Sequence, residues 1–597
     1  MTNNKVSFWR IFWPSLLAGV ALIILGFMFF TTIIGSIVSS MTPKQPTHKD
    51  AVLHLKLTQE VREISSNEVT FDFSSIGVNQ TLGLADLLYG FEKAAEDDEI
   101  KGVFIELSGA YMGYSTATEL RNAIKQFEEE SGKFVVAYHS GEATSLMQYY
   151  IASAASENYG FHSTNFEFLG LGAELMFFKG LFDKLDIEMQ VIRGSDNDFK
   201  SAVEPYYLTE MSDSSKLQME VYINNIWTEI KKNIGEDRGI SIEALNLLAE
   251  EGSIRRMLNA VEHNLVNDVK YRDEVLQLLA DKADVKEVDD LNLKSFESYA
   301  TNKFHQQQNI VDTKDANIAV IIADGAITVD GDGIASNRLT KLIREARNDE
   351  DIKTIVLRVN SPGGSALASD EIWREVKLAN EEKSVVVSMG DVAASGGYYI
   401  AAPAGTIFAQ ETTITGSIGV FGVIPFIGNT LENKLGITFD RIATNKYASA
   451  LSLNRKLSPE EFSIVQSEVD FIYDEFLHRV SEGRNMTKEQ VNVVARGRVW
   501  TGTDALQVGL VDKLGGINDA IEYAAKEAGI EKPVIQYYPK VKKEPWMEFV
   551  ELLNEDKNAN FGQKGNISQE FFTTFMKLKD AENWVGIQAR LPYYIVW

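Results

Sequence analysis

The sequence predicts an α/β protein made of two repeated halves behind an apolar N-terminal span. Three observations carry that reading. Short apolar runs, Thr354 to Val359 and Ser384 to Met389 among them, read as buried strands and alternate with amphipathic stretches that read as helices. That is the pattern of layered sheet and helices. Much of the pattern occurs twice: Glu99-Ile-Lys-Gly-Val-Phe-Ile-Glu-Leu107 matches Asp351-Ile-Lys-Thr-Ile-Val-Leu-Arg-Val359, and Gly141 to Ser153 matches Gly390 to Ala402. A shared Tyr-Tyr-Ile-Ala sets the register, so Leu146 stands opposite Ser395 and Ala110-Tyr111-Met112 opposite Pro362-Gly363-Gly364. A repeat this long is a duplicated domain. Finally, Ile11 to Val38 carries no charge and exceeds the ~20 residues that span a bilayer.

The elements follow in chain order. Residues 1–10 precede the span, 11–38 form it, and 39–50, with Pro43 and Pro46, are a linker. The span is longer than the ~7–15-residue core of a cleaved signal, so it reads as a retained anchor, with Trp9 and Trp13 at the interface. Lys5 and Arg10 before it balance Lys44 and Lys49 after it, so charge leaves the orientation open. The first domain is 51–293, helical at Leu217 to Ile234 and Ile242 to Leu265. The polar, Gln-rich stretch 294–317 reads as the interdomain connection. The second domain, 318–542, opens on an apolar strand and continues with helices at Asp370 to Glu381, Pro459 to Arg484 and Ile517 to Ala528. The tail, 543–597, is aromatic-rich and ends apolar, which predicts packing on the body or on a neighbouring subunit.

Composition narrows the function. A net charge of −27 with no basic face argues against nucleic acid. The absence of cysteine excludes thiol catalysis, and no metal-ligand cluster or cofactor motif is present, so no cofactor is expected.

The chemistry concentrates around Ser395. Gly390-Asp-Val-Ala-Ala-Ser-Gly-Gly-Tyr-Tyr399 puts this serine in a small-residue turn between a strand and a helix. Asn360-Ser-Pro-Gly-Gly364 also follows a strand, where Gly363 and Gly364 offer two amides unshielded by a Cβ. A nucleophile beside an oxyanion hole points to acyl transfer. Either element alone reads more simply as a helix cap or a turn. Of seven histidines, only His478 lies in the same half, on a charged helix. A buried lysine is the remaining common base.

These segments resemble the signal peptide peptidase A (protease IV) family in its long, membrane-anchored form. The resemblance rests on Val359-Asn-Ser-Pro-Gly-Gly-Ser365, Gly390 to Tyr399, Thr415-Gly-Ser-Ile-Gly-Val420 and Phe199-Lys-Ser-Ala-Val-Glu-Pro205. It implies two tandem crotonase-like (Clp-protease-like) domains and a Ser/Lys dyad of Ser395 and Lys200, with Ser417 orienting the lysine. The dyad members would come from different halves of the chain. Lys446, in the same half as Ser395, is the alternative base. Asp196 and Asp198 precede Lys200 closely, so they are expected to point away from it or to pair with Arg193. The resemblance also implies apolar peptide substrates including signal peptides, a body on the periplasmic side of the bacterial inner membrane, contact with lipid through the N-terminal helix, and a homo-oligomer, a tetramer. Other classes remain open at this point: a catalytically inactive membrane scaffold, or an acyl-CoA enzyme on the same fold.

Overall fold

The computed structural model describes residues 50–539, apart from 66, 73–74, 81, 311–314, 332 and 449, together with 587–590. The span 11–38 lies outside the described residues. Among the described residues no helix is long and apolar enough to cross a membrane.

Ten strands and six helices position the site. The strands are β1 (Ala51–Leu57), β2 (Ile100–Leu107), β3 (Phe134–His139), β4 (Glu188–Arg193), β5 (Ile318–Asp324), β6 (Thr354–Ser361), β7 (Gly363–Ser365), β8 (Ser384–Ala394), β9 (Phe421–Phe426) and β10 (Ile587–Arg590). The helices are α1 (Tyr114–Ser131), α2 (Leu146–Ala152), α3 (Asp213–Arg238), α4 (Ala366–Glu382), α5 (Gly396–Ala401) and α6 (Pro459–Arg484).

Each half builds a parallel sheet around the same three-strand order. β1, β2 and β3 pair in parallel in the first half, and β5, β6 and β8 do so in the second. Their runs of Val, Ile and Leu are buried on both faces, as parallel sheets require. One core crosses the halves, joining Leu53 and Ile105 to Val320, Val356 and Ile521. A third sheet mixes the halves outright. β4 leaves the first half to pair antiparallel with β9, and β9 then pairs with β10, which pairs with β7.

Three sequence readings are refined. The stretch Ile242 to Leu265 is not one helix: Gly252 takes a left-handed φ of 57° and its amide closes on Ala249 O, ending the first piece at Glu251. Most of the connection 294–317 is helical, over Phe296–Ile310, because Phe296, Tyr299 and Ala300 supply an apolar face that joins the first-half core. Within the tail 543–597, the described piece is β10, held by backbone pairing to β7 and β9.

Candidate active site

Ser395 follows β8 and stands at the N-cap position of α5. Its backbone sits at φ 57°, ψ −114°, a region sparsely populated for any residue with a Cβ. Two bonds hold it there: its amide donates to Gly416 O at 2.8 Å, and its carbonyl accepts from Tyr399 N at 2.8 Å. Gly397 lets the turn approach β6, since a Cβ there would lie 2.6 Å from Ser361 O. Small residues also let β8 run through Ala394 to pair Val392 with Ile414 and Ala394 with Gly416. Asn360 ties three strands together: its amide donates to Asp324 Oδ1 at 3.1 Å, and its oxygen accepts from Val392 N at 3.1 Å.

Lys200 arrives from the first half on the loop that follows β4. Its amine nitrogen lies 2.7 Å from Ser395 Oγ, 3.0 Å from Ser417 Oγ and 3.0 Å from Ser417 O. Lys200, Ser395 and Ser417 are all fully buried. Burial alone, with no carboxylate against the amine, pushes the Lys200 pKa well below the ordinary lysine range. Asp198 pairs with Arg496, and Asp196 accepts from Asn492 Nδ2 at 3.4 Å. Arg193 lies over the Tyr207 ring instead.

The loop around Lys200 is clamped by residues that sequence motifs did not single out. Gln218, on α3, donates to Phe199 O at 3.1 Å and Ser201 Oγ at 2.8 Å, and accepts from Val499 N at 3.2 Å. Gly497, at φ 79°, has no room for a side chain: a Cβ would sit 2.6 Å from Lys200 Cβ. Asn197 donates to Val420 O at 3.1 Å. None of the three lies in a sequence motif; Gly497 stands out only as a glycine between Arg496 and Arg498.

Gly363 and Gly364 form β7. Gly363 adopts φ 95°, and its amide donates to Ser361 Oγ at 3.1 Å. Gly364 packs on Ile327, whose carbonyl would be 2.0 Å from an added Cβ. Lys446 stands apart on the surface, 3.6 Å from Glu460. Contacts with Tyr447 and Glu460 hold its pKa above the ordinary range. His478 is half-exposed and lies 3.4 Å from Glu482.

A strained serine between strand and helix, with a buried amine in hydrogen-bond contact, is the signature of a serine hydrolase. The family model of peptidase family S49 matches residues 128–286 and 377–531, one segment in each half. The chain is 33% identical to "Serine protease SPPA, chloroplastic" of Arabidopsis thaliana, over 82% of this chain and 71% of that protein. It is 34% identical to "Protease 4" of Haemophilus influenzae, over 75% of this chain and 73% of that protein. A shorter match, 35% identical, is to "Putative signal peptide peptidase SppA" of Enterococcus faecium, over 40% of this chain and 69% of that protein. The chain belongs to peptidase family S49 and is an SppA-type serine protease.

Proposed function

We propose a membrane-anchored endopeptidase in which Ser395 is the nucleophile and Lys200 the general base, degrading apolar peptides and cleaved signal peptides among them. The observation that carries this is the 2.7 Å contact between Lys200 Nζ and Ser395 Oγ inside a fully buried site. A neutral amine has two protons and one lone pair. Ser417 O and Oγ accept the two protons, which leaves the lone pair facing the Ser395 hydroxyl. Lys200 takes the hydroxyl proton as Oγ attacks the scissile carbonyl, then returns it to the leaving amine. Water, deprotonated by the same amine, releases the acyl group from Ser395. The oxyanion donors in this reading are the Gly363 and Gly364 amides with part of the Ser395–Gly397 turn, the Gly363 amide exchanging its bond to Ser361 Oγ for the oxyanion. A separation this short also favours the dyad over an inactive scaffold.

Extended peptides fit the slot between β7 and β9. Strand β10 runs there antiparallel to both, with Gly363 opposite Arg590 and Phe421 opposite Gln588. A substrate in the same slot gains backbone bonds on two sides. In this reading residues 11–38 hold the body on the periplasmic side of a bacterial inner membrane, near its substrates, and the chains assemble as a homo-oligomer.

Hydrolysis of a fluorogenic apolar peptide tests the dyad. Ser395→Ala and Lys200→Ala are expected to lose roughly 10³-fold or more, and Lys446→Ala to stay near wild type. Loss with Lys446→Ala and survival with Lys200→Ala would move the base into the second half.

A further inference from the structure

The duplication leaves a second cleft in the first half, in the place that the catalytic cleft holds in the second. In the repeat register, Leu146 stands where Ser395 does and Met112 where Gly364 does. Residues 169–177 correspond to Ile418–Phe426. The elements agree to within one residue: Leu146 is the first residue of α2, and Ser395 is the residue before α5. A cavity of about 540 Å³ lies here, walled by Met112, Leu146, Leu171, Leu175, Met219 and Ile223. That volume is within the range of small-ligand sites, ~300–1,000 Å³. Glu167 and Glu174 line it too, and no lysine, arginine or histidine does. Its one serine, Ser145, is engaged as the helix cap, accepting from Gln148 N at 3.3 Å.

The two clefts differ in what fills them. In the second half, β9 is paired on its outer edge by β4 and on its inner edge by β10. In the first half, the corresponding residues 172–177 belong to no strand. A second copy that followed the internal geometry would bring its residues 437–442, the counterpart of β4, to the outer edge. The slot itself would stay open, and its counterpart in the second half holds an extended strand.

We propose that this first-half cleft is a non-hydrolysing binding site for an extended apolar peptide that carries a cationic residue beside its apolar run. The walls take the apolar side chains, and the two carboxylates take the cation. Leu146 offers no nucleophile, and no lysine or histidine lines the cleft to activate one, so the peptide is held rather than cut. The inference rests on the peptidase reading only for the class of ligand.

The test uses the full chain as Ser395→Ala and a probe peptide with lysines ahead of a leucine/alanine run and one benzophenone side chain. Photo-cross-links are expected at residues 167–175. Leu169, 61% exposed at the rim, and Leu175 are replaced together in Leu169→Glu/Leu175→Glu. That change is expected to weaken probe binding ~10-fold or more. Glu167→Gln/Glu174→Gln, which spares the apolar wall, is expected to weaken it ~3-fold or more and to remove its sensitivity to salt. Three results would overturn the proposal: cross-links confined to 363–365 and 421–426, unchanged binding in both variants, or peptide-free cross-links from 437–447 of a second copy into 167–175 that the probe fails to displace. Hydrolysis of a short apolar peptide by the wild type reports on Ser395 separately, so failure of the peptidase reading and failure of this one are distinguishable.

Discussion

Ser395 and Lys200 are each held in a state that folding by itself disfavours. The serine occupies a left-handed φ, and the lysine carries an amine into a site with no counter-charge. Lys200 illustrates the sign of the cost. Its pKa is depressed in the fold, while in the unfolded chain it is near ~10.4. The unfolded chain therefore binds the extra proton at neutral pH, and this group's contribution to stability grows as pH rises toward that value. Lys200→Met keeps the length of the side chain and removes the amine. The expected outcome is loss of peptide turnover together with a higher thermal midpoint at pH 7, the usual exchange between activity and stability at a catalytic residue. A lower midpoint would mean that the bonds of the amine to Ser395 and Ser417 outweigh the cost of burying it.

At the scale of elements, the site depends on buried polar joints between strands. Arg358 on β6 is fully buried, donating to Glu63 Oε2 at 2.9 Å and Glu119 Oε1 at 2.7 Å from the first half, and to Ser388 Oγ at 2.9 Å on β8. Two carboxylates share one guanidinium, and burial raises the pKa of both. Arg358→Ala leaves them uncompensated and is expected to cost about 3–5 kcal/mol in denaturant unfolding. A loss below about 1 kcal/mol would show that the carboxylates hold protons without the arginine. Asp324, at the end of β5, is pushed up to about 7 by burial and by the charge of Glu63, against the lowering bond from Asn360. Its folded pKa lies above the unfolded value of ~3.9, so it contributes stability at acid pH that is lost as pH rises through about 7. Asp324→Asn keeps the oxygen that accepts from Asn360. Its stability is expected to fall less between pH 4 and 7 and to exceed wild type at pH 8; parallel curves would place Asp324 outside this linkage.

Across the whole molecule, the halves are interlocked rather than strung together. The strand that carries the chain toward Lys200 completes a sheet of the other half, with Glu188 opposite Phe426 and Arg193 opposite Phe421. The slot between β7 and β9 is taken by the chain's own β10. A peptide using that slot must displace it. Removal of residues 540–597 is therefore expected to lower KM for short apolar peptides several-fold with kcat little changed, measured by steady-state kinetics. An unchanged KM would put the peptide path elsewhere.

Much of this was legible in the chain itself. The parallel strands came from unbroken apolar runs, because a strand buried on both faces has no polar alternation to disguise it. Helix α6 begins and ends where expected, at Pro459 and Arg484, because Ser458 and Glu461 form a capping box and Asn485 takes the left-handed stop. The small-residue turn between strand and helix singled out Ser395, and the repeat register showed leucine in its place in the first half. The residues that clamp the loop carrying the lysine, Gln218 and Gly497, were not legible. One is a glutamine on a helix and the other a glycine in a turn, and each acts on a segment far away in sequence. By itself the sequence determined the elements, the duplication and the residue types at the site, since periodicity and local motifs encode those directly. Only the tertiary structure decided that Lys200 rather than Lys446 meets Ser395, because depressing an amine's pKa requires a dry, uncharged surrounding assembled from both halves of the chain.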